Sequence, residues 1–324
     1  MNAFSTAQFA QLSTKDIQSL TTQQINALST NLFNALSTAQ QQALSSTLFA
    51  SLSTPDIAAM STSAVQLLTS TQISGFSTLQ ISSFNTAQVS AINTTALTQL
   101  NTLQLSGLST DDMVGMGMSQ IGALLASQVA GLSSAQLNVL NTSQLAQLSS
   151  ADVMSLSPVV LDALTTSIVS ELTTSQFSSL SSTQVATLTT SQVNALTTSQ
   201  VAALSTLQIS NLNTTQLNAL TSVQVVQIPT LDISILGSAQ FVALSTQFLN
   251  SLTSSQFQAI SSAQIGLLAT SSLMVLSTTP ASGITSDQMS ALNTAQINSL
   301  NSAALNSISS AAILSLSTAQ ISVQ

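Results

Sequence analysis

The chain has no histidine, cysteine, tryptophan or tyrosine, and its only cationic side chain is Lys15. Without imidazole or thiol there is no ordinary proton shuttle at neutral pH, no thiolate nucleophile and no Cys or His metal site. Nine acidic residues against one basic residue give a formal net charge of −8. Holding nucleic acid requires several cations to neutralise phosphates, so that class of partner is excluded. Long hydrophobic runs are missing as well. A Ser, Thr, Asn or Gln interrupts every few positions, which leaves no candidate for a transmembrane helix of roughly 18 or more apolar residues. The chain is expected to be soluble. Absence of cysteine fits an extracellular bacterial protein that does without disulfides. The first residues, Met1 to Gln8, show neither the basic stretch nor the apolar stretch of a cleavable signal peptide.

What is present is regular. Hydrophobic residues make up 44% of the sequence, too many for a disordered chain and enough for a packed core. They recur with a period of eight, without gaps, from Phe4 to Val323, in forty consecutive octapeptides. Numbering the unit from 1 to 8, position 1 is a large apolar residue in all forty, thirty of them Leu. Position 6 is large and apolar except at Gln41 and Ala281. Position 2 is Ser, Thr or Asn in 35 units, and position 5 is Gln or Asp in 29.

These four columns describe one device, the start of a short helix. With position 2 as N-cap, position 5 is N3, and S/T-x-x-Q/D is a capping box whose two members satisfy each other's backbone amides. Positions 1 and 6 then become the two ends of a hydrophobic staple. Pro158 at position 3 and Pro55 at position 4 fall in the first turn, where a missing N–H is tolerated. Asp16, Asp56, Asp112, Asp152 and Asp232 occupy position 5, and Asp111 and Asp287 position 4, near the positive end of each helix dipole.

One continuous helix is ruled out, because eight residues overshoot two turns by about 80° and the apolar positions would wander around the axis. The spacing predicts an all-α solenoid or superhelix of forty capped helices of one to two turns each, with positions 1 and 6 inward and a neutral Ser, Thr, Gln and Asn surface outward. The alternative is a β-solenoid with octapeptide rungs, favoured by the Val, Ile and Thr content. Helices this short do not persist alone in water, so stability must come from neighbours along a stack.

Residues 1–324 are expected to form a single continuous array with no separate globular domain. Three stretches are irregular: Met113 to Leu125, with Gly115, Gly117 and Gly122; Ile228 to Gly237, with Pro229 at the cap position; and Thr278 to Gly283, with Pro280. Either terminus is already in phase with the repeat, Met1 to Ala3 matching positions 6 to 8 and Gln324 opening a new unit. Uncapped solenoid ends imply partners beyond them, and homo-oligomerisation by end-to-end stacking is expected.

For catalysis only acids and hydroxyls are available. Asp111 with Asp112, or Asp152 with Asp162, would be the candidate carboxylate pairs. The same Asp column recurs singly elsewhere, which reads them as first-turn acids. No catalytic, cofactor or metal residues are therefore expected, and the protein is read as not an enzyme. Regular Ser and Thr at positions 2 and 3 invite an ice-binding ladder, but capping consumes position 2. The Asn-x-Ser/Thr patterns at Asn93, Asn141 and Asn213 arise from the repeat itself.

The units LTTSQVNA (Leu188 to Ala195), LTTSQVAA (Leu196 to Ala203), LSTLQISN and LNTTQLNA resemble the L-T-T-x-Q-V-x-A repeats of very large predicted secreted or surface proteins of proteobacteria, described as adhesin-like. That resemblance covers the whole chain and implies an extracellular or cell-surface role as stalk, filament or matrix component. A self-assembling filament or matrix subunit is the expected function. An adhesin stalk, or a solenoid that binds glycan, cell surface or ice, is the alternative.

Overall fold

The computed structural model describes residues 5–321. Met1 to Ala3 and Gln324, whose phase was noted above, lie outside them. Among the described residues there is no strand, and forty short helices run from α1 (Thr6–Phe9) to α40 (Thr318–Ile321). The chain is a helical solenoid, and the octapeptide β-rung is not formed.

Each helix begins at position 3, one residue after its cap, as the capping-box phase requires. Gln200 is typical: the Thr197 Oγ1 accepts the Gln200 amide at 3.1 Å, and the Thr197 amide donates to Gln200 Oε1 at 2.8 Å. The N-cap is extended, with φ −72° and ψ 155° at Thr197. At the other end the amide of the next position 1 donates back to the position 6 carbonyl, as Leu204 does to Val201 at 3.2 Å. One residue of extended backbone then leads into the next cap. Helices of four to six residues result, each ended by the geometry that begins its successor.

The chain divides into two compact units, 1–164 and 165–324. In the first, positions 1 and 6 form the core; Phe33, Phe49, Phe76 and Phe84 make a run of edge-to-face contacts with centroids 6.1, 5.7 and 5.9 Å apart. In the second, Phe177, Phe241, Phe248 and Phe257 are the largest fully buried side chains. In both units helices pack mainly on those three repeats away, and side chains bond across turns at separations of 25 to 31 residues. One superhelical turn therefore takes between three and four repeats. Position 4 faces solvent even when apolar, as with Leu79 at 69% and Leu207 at 63% exposure.

Position 8 meets position 3 of the repeat one turn earlier. Ser251 and Ser222 hydroxyls are 2.9 Å apart there, 29 residues separated in sequence. Where the approach is closest the residue is glycine: a Cβ on Gly131 would lie 2.6 Å from Thr102 Cβ, and one on Gly283 would run into the Ser254 carbonyl. None of the glycines has positive φ, so close approach is what demands them.

The three irregular stretches remain helical. Thr110–Gly115, Met118–Ala123, Thr230–Ser234 and Thr278–Ala281 all form. Gly117 and Leu125 lack a capping oxygen, yet their amides still donate to Gln120 and Gln128 Oε1 at 2.9 and 2.8 Å. Half of the box suffices when packing supplies the rest.

Candidate functional site

The expectation that Gln lies on the outward surface is wrong for position 5. Gln72, Gln88, Gln144, Gln200, Gln216 and Gln256 are all 3% exposed or less. Each has a second role besides capping. Gln88 Oε1 accepts the Asn85 amide at 2.8 Å, while its Nε2 donates to the Ile57 and Met60 carbonyls at 3.0 and 2.7 Å. Gln200 Nε2 does the same to Val169 and Leu172, both at 2.9 Å. One amide group thus closes its own helix and ties it to the turn before. The Met60 and Leu172 carbonyls sit at bends between helices, where an unpaired buried acceptor is unfavourable.

Where Gln is absent, Asn takes over part of its work. Units with Ala96 and Ala304 at position 5 carry Asn caps, and Asn93 and Asn301 Nδ2 reach the Leu68 and Leu276 carbonyls, both at 2.9 Å. Units with Ala64, Phe248 or Pro280 at position 5 lack an acceptor for their cap amide. Asn34, Asn218 and Asn250, each at position 7 one turn earlier, supply it: their Oδ1 atoms accept from Ser61, Ser245 and Ser277 at 2.9, 2.7 and 2.8 Å. Sequence reasoning missed these Asn residues. Their signal was an Asn placed 30 residues before each missing Gln.

The candidate carboxylates are absorbed into the same network. Asp112 is buried; its Oδ2 takes the Ser109 amide and hydroxyl at 2.9 and 2.7 Å, and Oδ1 takes the Thr86 hydroxyl at 3.2 Å. Asp152 accepts the Ser149 amide at 2.6 Å, whereas Asp111 and Asp162 are exposed. Neither pair lines any of the hollows described below. Among the described residues no group of three or more acidic, His or Cys side chains is placed to hold a metal. Asp16 accepts the Ser13 hydroxyl and amide at 2.6 and 2.9 Å, and these bonds, the hydroxyl's foremost, hold its carboxyl below the usual 3.8. Asp232 is the exception: its cap residue is Pro229, which has no N–H, and Asp232 Oδ1 is buried without a partner.

The surface hollows beside Gly117, Asn194 and Gly283 are open troughs lined by neutral side chains. A different hollow, about 410 Å³, opens at the C-terminal end between Ile297, Leu305, Ile313, Leu314, Leu316 and Ile321. Leu314 is 84% and Ile321 54% exposed, and Leu305 and Ile313, at position 6 like Ile321, are half-buried. No later turn covers it among the described residues. The N-terminal turn shows the opposite face. Gln8 and Gln24 are exposed; their Oε1 atoms accept the Ser5 and Thr21 amides, both at 2.9 Å, but their Nε2 atoms have no acceptor among the described residues.

A family model described as ALTTAQ repeat matches residues 1–30 and 172–206. Those six letters correspond to positions 8 and 1 to 5 of the unit, written Ala195-Leu-Thr-Thr-Ser-Gln200 in this chain. No curated protein matches the sequence. No described helix is long and apolar enough to cross a membrane. The chain is a repeat protein similar, over those two segments, to the ALTTAQ repeats.

Proposed function

We propose that the protein is an extracellular structural element, a filament or matrix subunit that assembles by end-to-end stacking, and that it is not an enzyme. The observation that carries this reading is the turn-to-turn network, in which a position 5 Gln closes its own helix and donates to carbonyls of the turn before it, as Gln88, Gln200 and Gln288 do. Each turn of such an array packs only on its neighbours, so copies that continued the register would extend it by the same kind of contact. Chemistry argues the same way: neutral hydroxyl and amide side chains dominate the surface, and the acids serve as helix caps or stand exposed. The extracellular setting rests on the resemblance to secreted adhesin-like repeats and on the absence of cysteine.

Cryo-electron microscopy of the protein as isolated, without refolding, tests this. Fibres many chains long, with density repeating every turn of three to four octapeptides, are expected. Only single chains at high protein concentration would overturn the assembly reading, and discrete particles would redirect it to a stalk or spacer.

A further inference from the structure

We propose that Asp232 and the Leu204 carbonyl hold a monovalent alkali cation between two adjacent turns, in the irregular stretch where Pro229 takes the cap position. Asp232 is 2% exposed, and its Oδ1 is buried without a partner. The other four acids of the position 5 column, Asp16, Asp56, Asp112 and Asp152, each follow a Ser cap and accept its amide. Pro229 has neither an N–H nor a hydroxyl to give. Thr206 stands 26 residues before Asp232, as Thr86 does before Asp112, but gives Oδ1 no hydrogen bond.

The Leu204 carbonyl lacks a donor for the same reason. In the repeats on either side, Gln224 Nε2 donates to the Leu196 carbonyl at 2.6 Å and Gln240 Nε2 to that of Leu212 at 2.7 Å, each 28 residues back. Leu204, 28 residues before Asp232, is the carbonyl between them; it is 5% exposed and its oxygen accepts no hydrogen bond from any described residue. An ionised Asp brings only acceptors to that place, so this join has oxygens on both sides where its neighbours have a donor. A buried carboxylate is unfavourable unless a charge balances it. The helices packed on Thr230–Ser234, namely Thr206–Asn211 and Ser254–Gln258, carry no titratable side chain, and residues 165–324 contain no Lys or Arg. The balancing charge therefore comes from solvent. Carboxylate, carbonyl and water oxygens suit hard cations, and a single carboxylate balances a single positive charge, which selects sodium or potassium over calcium. Such an ion joins position 5 to the turn before it, the part that Gln Nε2 plays in other repeats.

The full chain is titrated with sodium chloride or potassium chloride while tetramethylammonium chloride, whose cation is too bulky for such a site, keeps the ionic strength constant. Amide hydrogen exchange over 200–236 reports local opening. Exchange there is expected to slow about tenfold once the alkali cation reaches about ten times its dissociation constant, and the sodium NMR line is expected to broaden in the presence of the parent chain. Asp232→Gln installs the residue that most repeats carry, and its Nε2 takes over the link to Leu204. In that variant both the salt dependence of exchange and the line broadening are expected to vanish, with the fold kept. Equal exchange of the parent in tetramethylammonium, sodium and potassium, or the same response in Asp232→Gln as in the parent, would overturn the site. Protection that follows pH but not the cation would also overturn it, placing a proton on Asp232 instead. A response to calcium chloride alone would overturn the choice of a monovalent ion.

Discussion

Replacing one interior glutamine tests whether the position 5 amide holds adjacent turns together. Gln200 is 1% exposed, and its amide makes three hydrogen bonds of 2.8 to 2.9 Å: one to the Thr197 cap and two to the Val169 and Leu172 carbonyls. Gln200→Met keeps the volume and removes all three. Each buried group left unpaired is unfavourable by about 1–3 kcal/mol, so a loss of about 3–5 kcal/mol follows if local relaxation recovers part of it. Gln200→Glu keeps the capping oxygen but sets a second carboxylate oxygen against two carbonyl oxygens. At neutral pH it is expected to destabilise at least as much as Met, because a buried charge without a partner is added.

The pH dependence separates the two variants. Burial and the facing carbonyls favour the protonated Glu, which donates one bond back, so its pKa rises on folding above the unfolded value of about 4.3. The folded state then binds more protons than the unfolded state, and the variant loses stability as pH rises from about 4 towards the raised value. Gln200→Met has no such slope relative to the parent. Urea unfolding followed by circular dichroism at pH 4 and 7, with hydrogen exchange over 165–208 to catch local opening, gives the comparison. Gln24→Glu is the control: it is exposed and its Nε2 has no acceptor among the described residues, so the change should stay within about 0.5 kcal/mol. Equal behaviour of the Gln200 and Gln24 variants would refute the cross-turn role.

Asn218→Ala should cost about 1–3 kcal/mol by stranding the Ser245 amide, and Phe248→Gln in the same chain should return part of it by restoring the local cap, a coupling measurable in a double-mutant cycle. Gly283→Ala should destabilise by about 1–3 kcal/mol because the new methyl meets the Ser254 carbonyl, whereas Gly266→Ala, with its nearest neighbour 3.6 Å away, should be tolerated in the same thermal melts. The Asp16 carboxyl should titrate below 3.8 by NMR, and Ser13→Ala should move it up. Being lowered on folding, that carboxyl contributes stability above its unfolded pKa and loses it as pH falls through the folded value.

The sequence by itself determined the unit. Capping links residues three apart, and the staple links residues five apart, so the columns at positions 1, 2, 5 and 6 carried the helix starts, the inward faces and the refusal of one long helix. Pro158 at the first helical residue and the first-turn acids agreed with that phase, as the structure has them. What only the tertiary structure decided lies between turns. The second bond of each glutamine, the Asn that replaces it and the glycine opposite each close Thr or Ser all join residues 25 to 31 apart. Those separations depend on how many repeats make a turn, a quantity set by small bends at positions 1 and 2 that add up over several units. Capping alone accounts for the acceptor oxygen of Gln; the reason for its donor nitrogen becomes visible only when the previous turn is in place.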